Sequence, residues 1–278
     1  MRVETNTKLV RRNKKITQYL FYLSFGVLIV GLLIGFRPNP DPASPDFALS
    51  LIVQALVLPV AVVLSLTSVR MTNQWLRKPR PEYAIRDALK GIHKKSVLYN
   101  YYHSAARHVL ISPQGVFAMV TRFQEGSYVA NGDKLERVGG VGVLRFLRGD
   151  NIGKPYEDAQ RAAAHIQELL NPIAPDLEVQ PLVVFVDPRA RLQVHDPLVP
   201  VLHTDDKIEP NLRDYLRNLA QQKQKVTEEQ PSKKKGKQKQ QEPTYVIPPD
   251  EIENIASAFE DSTLPEKAKK KPVSEYDE

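Results

Sequence analysis

The 278-residue chain is 42% hydrophobic and 26% charged and has no cysteine, which allows one modest folded domain with accessory segments and excludes disulfide staples and thiolate metal sites. Its net charge of +7 is unevenly placed: residues 1–81 carry +8, residues 82–220 are balanced, and residues 221–278 carry −1. A surplus confined to the N-terminal third argues against a nucleic-acid footprint over the whole molecule and points to something the charges flank.

The first fifteen residues are basic and read as a cytoplasmic N-terminus. Residues 16–36 contain no charge, and Leu20 to Phe36 holds twelve Leu, Ile, Val or Phe, enough apolar length to span a bilayer. A second uncharged run, 47–69, holds fourteen such residues, interrupted by Gln54 and Pro59. Between them residues 37–46, with four prolines and two aspartates, read as an external turn. Arg11, Arg12, Lys14 and Lys15 precede the pair, and Arg70, Arg77, Lys78 and Arg80 follow it in a basic linker, 70–81. The positive-inside rule then places both termini in the cytoplasm, with Trp75 a candidate headgroup anchor. A signal peptide fits less well, because no small-residue cleavage site precedes the turn and a second span follows. With no embedded charge, the two helices read as an anchor rather than a transport path, Gln54 and Gly26, Gly31 and Gly35 serving helix packing.

Residues 82–218 read as one α/β domain. Ile85, Leu89 and Ile92 follow Pro81 at helical spacing. His108 to Ile111 and Val116 to Thr121 read as strands joined by a Ser112-Pro113-Gln114-Gly115 turn, and a second hairpin around Asn131-Gly132 continues the antiparallel sheet to Lys134–Val138. The glycines between 139 and 153 fit neither G-x-G-x-x-G nor a Walker pattern and read as loop. Pro155 opens a helix whose Ala159, Ala162, Ala163, Ile166, Leu169 and Leu170 form one apolar stripe, ended by Asn171-Pro172. Leu182 to Val186 reads as a strand buried on both faces. The layout of residues 189–217 is left open by their Pro and Asp content.

Arg107-His108-Val109-Leu110-Ile111-Ser112-Pro113-Gln114-Gly115-Val116-Phe117 resembles the D-H-hydrophobic-hydrophobic-x-x-x-G-hydrophobic-F core of the NERD family, the nuclease-related domain. The 126–133 hairpin and the Pro155 helix follow in family order, so the resemblance covers residues 82–186. It implies a restriction-endonuclease-like mixed sheet with flanking helices. It also implies a catalytic acid before the first core strand and an E-x-K pair ending the second, holding Mg²⁺ or Mn²⁺ for phosphodiester hydrolysis. With Gly115 as the anchor, Arg107 stands at the acid position, Val120 at the glutamate and Arg122 at the lysine, while Glu82 matches the helical glutamate. The expectation is a degenerate nuclease, a pseudoenzyme without cofactor. The alternative is a divalent-metal nuclease on DNA or RNA at the membrane, with Glu125, Asp133 or Glu136 taking over a ligand role.

His93, His103, His108, His165, His195 and His203 show no metal-ligand spacing, and Ser104, Ser112 and Ser127 no nucleophile elbow. Arg107, Arg122, Arg145, Arg148, Lys154 and Arg161 are the candidates for nucleic-acid contact, if they gather on one face. Residues 219–278, rich in Lys and Gln, read as a disordered tail. Within it residues 250–260, with Ile252, Ile255, Ala256 and Phe259 at helical spacing, form an amphipathic segment that packs back on the domain or on a protein partner. The chain as a whole reads as a bacterial inner-membrane protein with two spans and a cytoplasmic binding or scaffolding module.

Overall fold

The computed structural model describes residues 1–36, 46–92, 94–103, 105–139, 151–229 and 247–263. They form two compact units, one spanning Thr7–Arg80, the other built from Met1–Asn6, Pro81–Gly139 and residues from Ile152 onward.

The first unit is a pair of long helices, α1 (Thr7–Gly35) and α2 (Asp46–Trp75). At about 1.5 Å per residue, the uncharged part of each covers about 30 Å, the hydrocarbon thickness of a bilayer. Within α1 from residue 17 to 34 the sheltered positions are Thr17, Leu20, Ser24, Val27, Gly31 and Ile34, three and four apart. In α2 Phe47, Ser50, Gln54, Val57, Ala61 and Leu64 repeat the same rhythm. This is a heptad seam in which half of the positions are small or polar. Gly31 sits where a Cβ would lie 2.6 Å from Val57 Cγ1, so the helices approach closely there. Thr17 and Ser24 donate to carbonyls one turn back in their own helix, which satisfies their hydroxyls without a partner. The outward residues, Phe21, Leu23, Leu28, Leu32, Ile52 and Leu56 among them, are apolar and exposed.

The second unit contains α3 (Pro81–Ala88), α4 (Pro155–Leu170), α5 (Leu212–Glu229) and α6 (Pro249–Thr263) around two sheets. Its strands are β1 (Arg2–Thr5), β2 (Val97–Asn100), β3 (His108–Ser112), β4 (Gly115–Arg122), β5 (Gly126–Gly132), β6 (Lys134–Val138), β7 (Val179–Phe185), β8 (Ala190–Pro197) and β9 (Val201–His203). A six-stranded mixed sheet runs β1-β2-β3-β4-β7-β9, and a three-stranded one runs β6-β5-β8. The β3–β4 hairpin closes on Gly115, whose φ of +139° favours glycine, and Ser112 Oγ donates to the Gly115 carbonyl at 3.1 Å.

Strand alternation sorts the larger sheet into two faces. Phe117 and Met119 join Leu98, Leu110 and Leu182 under Ile85 and Leu89 beside α3, and Leu212 and Leu216 of α5. Val116 and Ala118 point the other way, to Ala162 and Ile166 of α4 and to Ile252, Ile255 and Phe259 of α6. A third cluster joins Tyr128 and Ala130 of the smaller sheet to Phe185 and Val201, with Tyr156 and Ala159 of α4.

Several expectations need correction. Within the basic N-terminus, residues 2–5 form a strand that the sequence did not indicate, parallel to β2. The β5–β6 hairpin does not extend the first sheet; it pairs with β8 in its own. The segment from Leu219 to Glu229 is helical, because Leu212, Leu216 and Leu219 give α5 an apolar edge packed on the sheet. Of the two alternatives for residues 250–260, the structure has the first: they lie within α6, which packs back on the domain. Trp75 is buried at 8% exposure rather than presented outward, while Tyr19 and Tyr22 are exposed near the basic end of α1. The turn at 37–45, most of the glycine-rich stretch (140–150), and residues 230–246 with their lysine run lie outside the described residues.

Candidate functional site

The family-like positions fall on opposite faces of the six-stranded sheet. Glu82, in the first turn of α3, is 3% exposed and accepts a 2.9 Å hydrogen bond from the Tyr101 hydroxyl. Tyr101 follows β2 with φ +64°, a strained value for a non-glycine residue, supported by its N–H donating to the Arg107 carbonyl at 2.6 Å. Its ring meets the buried His108 ring edge-on at 5.0 Å. His108 Nδ1 lies 2.8 Å from Asn100 Oδ1, and Asn100 Nδ2 donates to Thr5 Oγ1 at 3.1 Å. With Asn100 Oδ1 facing it, Nδ1 is the ring's donor. Burial, with the Arg107 charge second, pushes its pKa down to about 3. Its Nε2 is buried and has no hydrogen-bond partner among the described residues.

Across the sheet, Val120 packs among apolar side chains of two core clusters. Arg122, next but one along β4, reaches Asp158 of α4 at 2.6 Å. Burial pulls the Arg122 pKa down, and the hydrogen bond and charge of Asp158 pull it back. Its Nε has no hydrogen-bond partner among the described residues. Arg161 approaches the same carboxylate at 3.9 Å, and Lys154 pairs with Glu157 at 2.8 Å. Arg122, Lys154 and Arg161 therefore do gather near the start of α4, but each faces an acidic neighbour. Arg107 is half-buried beside β3, on a different element, and Arg145 and Arg148 lie outside the described residues.

The acids proposed as substitute ligands are dispersed. Glu125 is paired with Arg189, which also holds Asp187 at 3.1 Å, while Asp133 and Glu136 are exposed on the smaller sheet. Among the described residues no three His, Asp or Glu side chains sit close enough to share a metal ion. His203 is held by two bonds, accepting from the Asp205 N–H at 2.8 Å on Nδ1 and donating from Nε2 to the Asp187 carbonyl at 2.9 Å. Burial lowers its pKa. His103 and His165 touch at 3.3 Å, and burial holds His103 near pKa 4. His195 and Ser127 are exposed, and His93 and Ser104 lie outside the described residues.

Of the residues that organise this region, Thr5, Asn100 and Tyr101 carried no sequence signal of their own. The one available hint was Asp158 in the first turn of an alanine-striped helix, where a carboxylate pointing toward the helix N-terminus can meet a strand-end arginine. Comparison of the chain with family models, with curated proteins and with solved structures finds no match.

Proposed function

We propose that this chain is a membrane-anchored scaffold, a two-span inner-membrane hairpin carrying a cytoplasmic binding module without hydrolytic chemistry. The observation that carries the reading is the apolar outer surface of α1 and α2. A helix pair in water shows polar residues outward, whereas here Leu, Ile, Val and Phe face outward and Thr17, Ser24 and Gln54 are sheltered among apolar seam residues. An exposed apolar surface of that size fits a lipid environment. The orientation rests on the flanking charges. Asn6 leads into α1 and Pro81 follows α2, so the chain enters and leaves the pair from one folded unit. Lys8, Arg11, Arg12, Lys14 and Lys15 beside that entry support a cytoplasmic placement by the positive-inside rule.

The module is read as a NERD-like, restriction-endonuclease-like domain that has lost its chemistry. Hydrolysis by that family's route needs carboxylates convergent on a cation, with a lysine nearby. Here the acid and basic positions are separated by the sheet, and Arg122 is engaged with Asp158. Purified full-length protein in detergent, incubated with single- and double-stranded DNA and RNA and with Mg²⁺ or Mn²⁺, is expected to leave them intact. Cleavage abolished by Glu82→Ala would replace the scaffold reading with the nuclease one.

A further inference from the structure

Helix α6 buries Ile252, Ile255, Ala256 and Phe259 against the α4 face of the larger sheet, each at 1% exposure or less. The Phe259 ring lies 4.6 Å from that of Tyr99 and 5.0 Å from that of His103. The polar margin is held from the other end of the chain. Arg2 in β1 donates to Glu253 at 2.9 Å and to Glu260 at 3.0 Å, and the Tyr99 hydroxyl donates to Glu260 at 2.7 Å. Burial pushes the Tyr99 pKa up, so it remains a donor. Beside this margin a groove of about 400 Å³ is lined by Arg2, Lys94 and Lys95 against Asp250 and Glu253. Residues 249–263 hold five acids and no base, so an acidic helix lies on a basic rim.

These are the features of helix-in-groove recognition, with anchors at i, i+3, i+4 and i+7 and charges at the border. We propose that this trough is a docking surface for an acidic amphipathic helix, and that its occupant can be the α6 of a second copy, exchanged for the chain's own. The proposal rests on reading the domain as a binding module. A second copy presents, by identity, the helix that fits. The eighteen residue steps from Glu229 to Ile247 set a covalent upper limit of about 60 Å on where α6 can dock. Exchange of that kind makes the same contacts in either chain and links copies without a new interface.

The test uses the full chain in detergent micelles and a fluorescent peptide of residues 247–263. Phe259→Asp vacates the chain's own trough, so the peptide is expected to bind that variant at least about tenfold more tightly than wild type, whose own helix competes. Absence of binding to a folded Phe259→Asp chain, shown by unchanged far-ultraviolet circular dichroism, overturns the proposal. If that variant does not fold, Arg2→Glu keeps every apolar contact. A peptide with Glu253→Arg and Glu260→Arg should then bind Arg2→Glu better than the unaltered peptide does, and no preference contradicts the docking. Mixed donor- and acceptor-labelled full-length chains, each carrying Ser262→Cys, should show energy transfer that excess free peptide abolishes. Transfer that persists with the peptide in excess contradicts exchange through the trough. Failure of these binding results removes the docking surface alone, whereas nuclease activity removes the scaffold reading and leaves them standing.

Discussion

Arg122 is a cation largely removed from water with a single carboxylate partner among the described residues, so the two halves of the pair should respond unequally to mutation. Asp158→Ala leaves the guanidinium without a counter-charge and is expected to cost about 1–2 kcal/mol, reduced from the fully buried case because Asp158 is 41% exposed. Arg122→Met replaces a desolvated charge by an apolar side chain of similar length and should cost less than Asp158→Ala, or nothing. Urea denaturation midpoints of the two variants check the order. The buried histidines give a pH signature. Since folding lowers the His108 pKa from 6.5 to about 3, the unfolded chain takes up a proton below pH 6.5 that the folded chain refuses. Stability is therefore full above pH 6.5 and falls as pH drops toward 3, with His108 contributing up to about 1.4 kcal/mol per pH unit. His103 and His203, also lowered, add to the slope in the same direction. Denaturation between pH 7.5 and 5 should show the decline, and His108→Gln should flatten it without removing it.

Within the helix pair, Gly31 and Gly26 make a matched contrast. A side chain at Gly31 meets Val57 at once, whereas a Cβ at Gly26 finds nothing within 4 Å. Gly31→Leu should loosen the α1–α2 packing by about 1–3 kcal/mol, and Gly26→Leu should leave it unchanged. Thermal melting in micelles reads both, and equal effects would contradict the seam. The elements most legible in the sequence were those with a local cause: α4, from Pro155 and its alanine stripe, and the two hairpins, from Gly115 and Asn131-Gly132. What escaped depends on distant partners. β1 is four residues long, too short to show a period, and pairs with residues 95 positions away. β2 is buried throughout and flanked by no turn signal beyond Gly91. α5 shows an apolar edge, but its Gln and Lys outer face resembles a solvated tail. For the site, the register placing Val120 and Arg122 at the end of β4 was legible. That Arg122 meets Asp158, and that the His108–Asn100 pair continues to Thr5, was not, because those bonds join segments 36 and 95 positions apart.

At the scale of the whole chain, the larger sheet contains residues from both sides of the helix pair, β1 before it and β2 after it. A molecule built this way cannot place its domain and its N-terminus on different sides of a membrane without losing β1. The most direct measurement uses the absence of native cysteine. Single-cysteine chains Asn39→Cys, in the connection between α1 and α2, and Ser232→Cys, beyond α5, are treated with a membrane-impermeant maleimide in spheroplasts and again after lysis. The account predicts labelling of Asn39→Cys before lysis and of Ser232→Cys only afterwards, with the protein retained in the membrane pellet after alkaline carbonate. Equal labelling at both positions in intact spheroplasts, or release of the protein by carbonate, would contradict it.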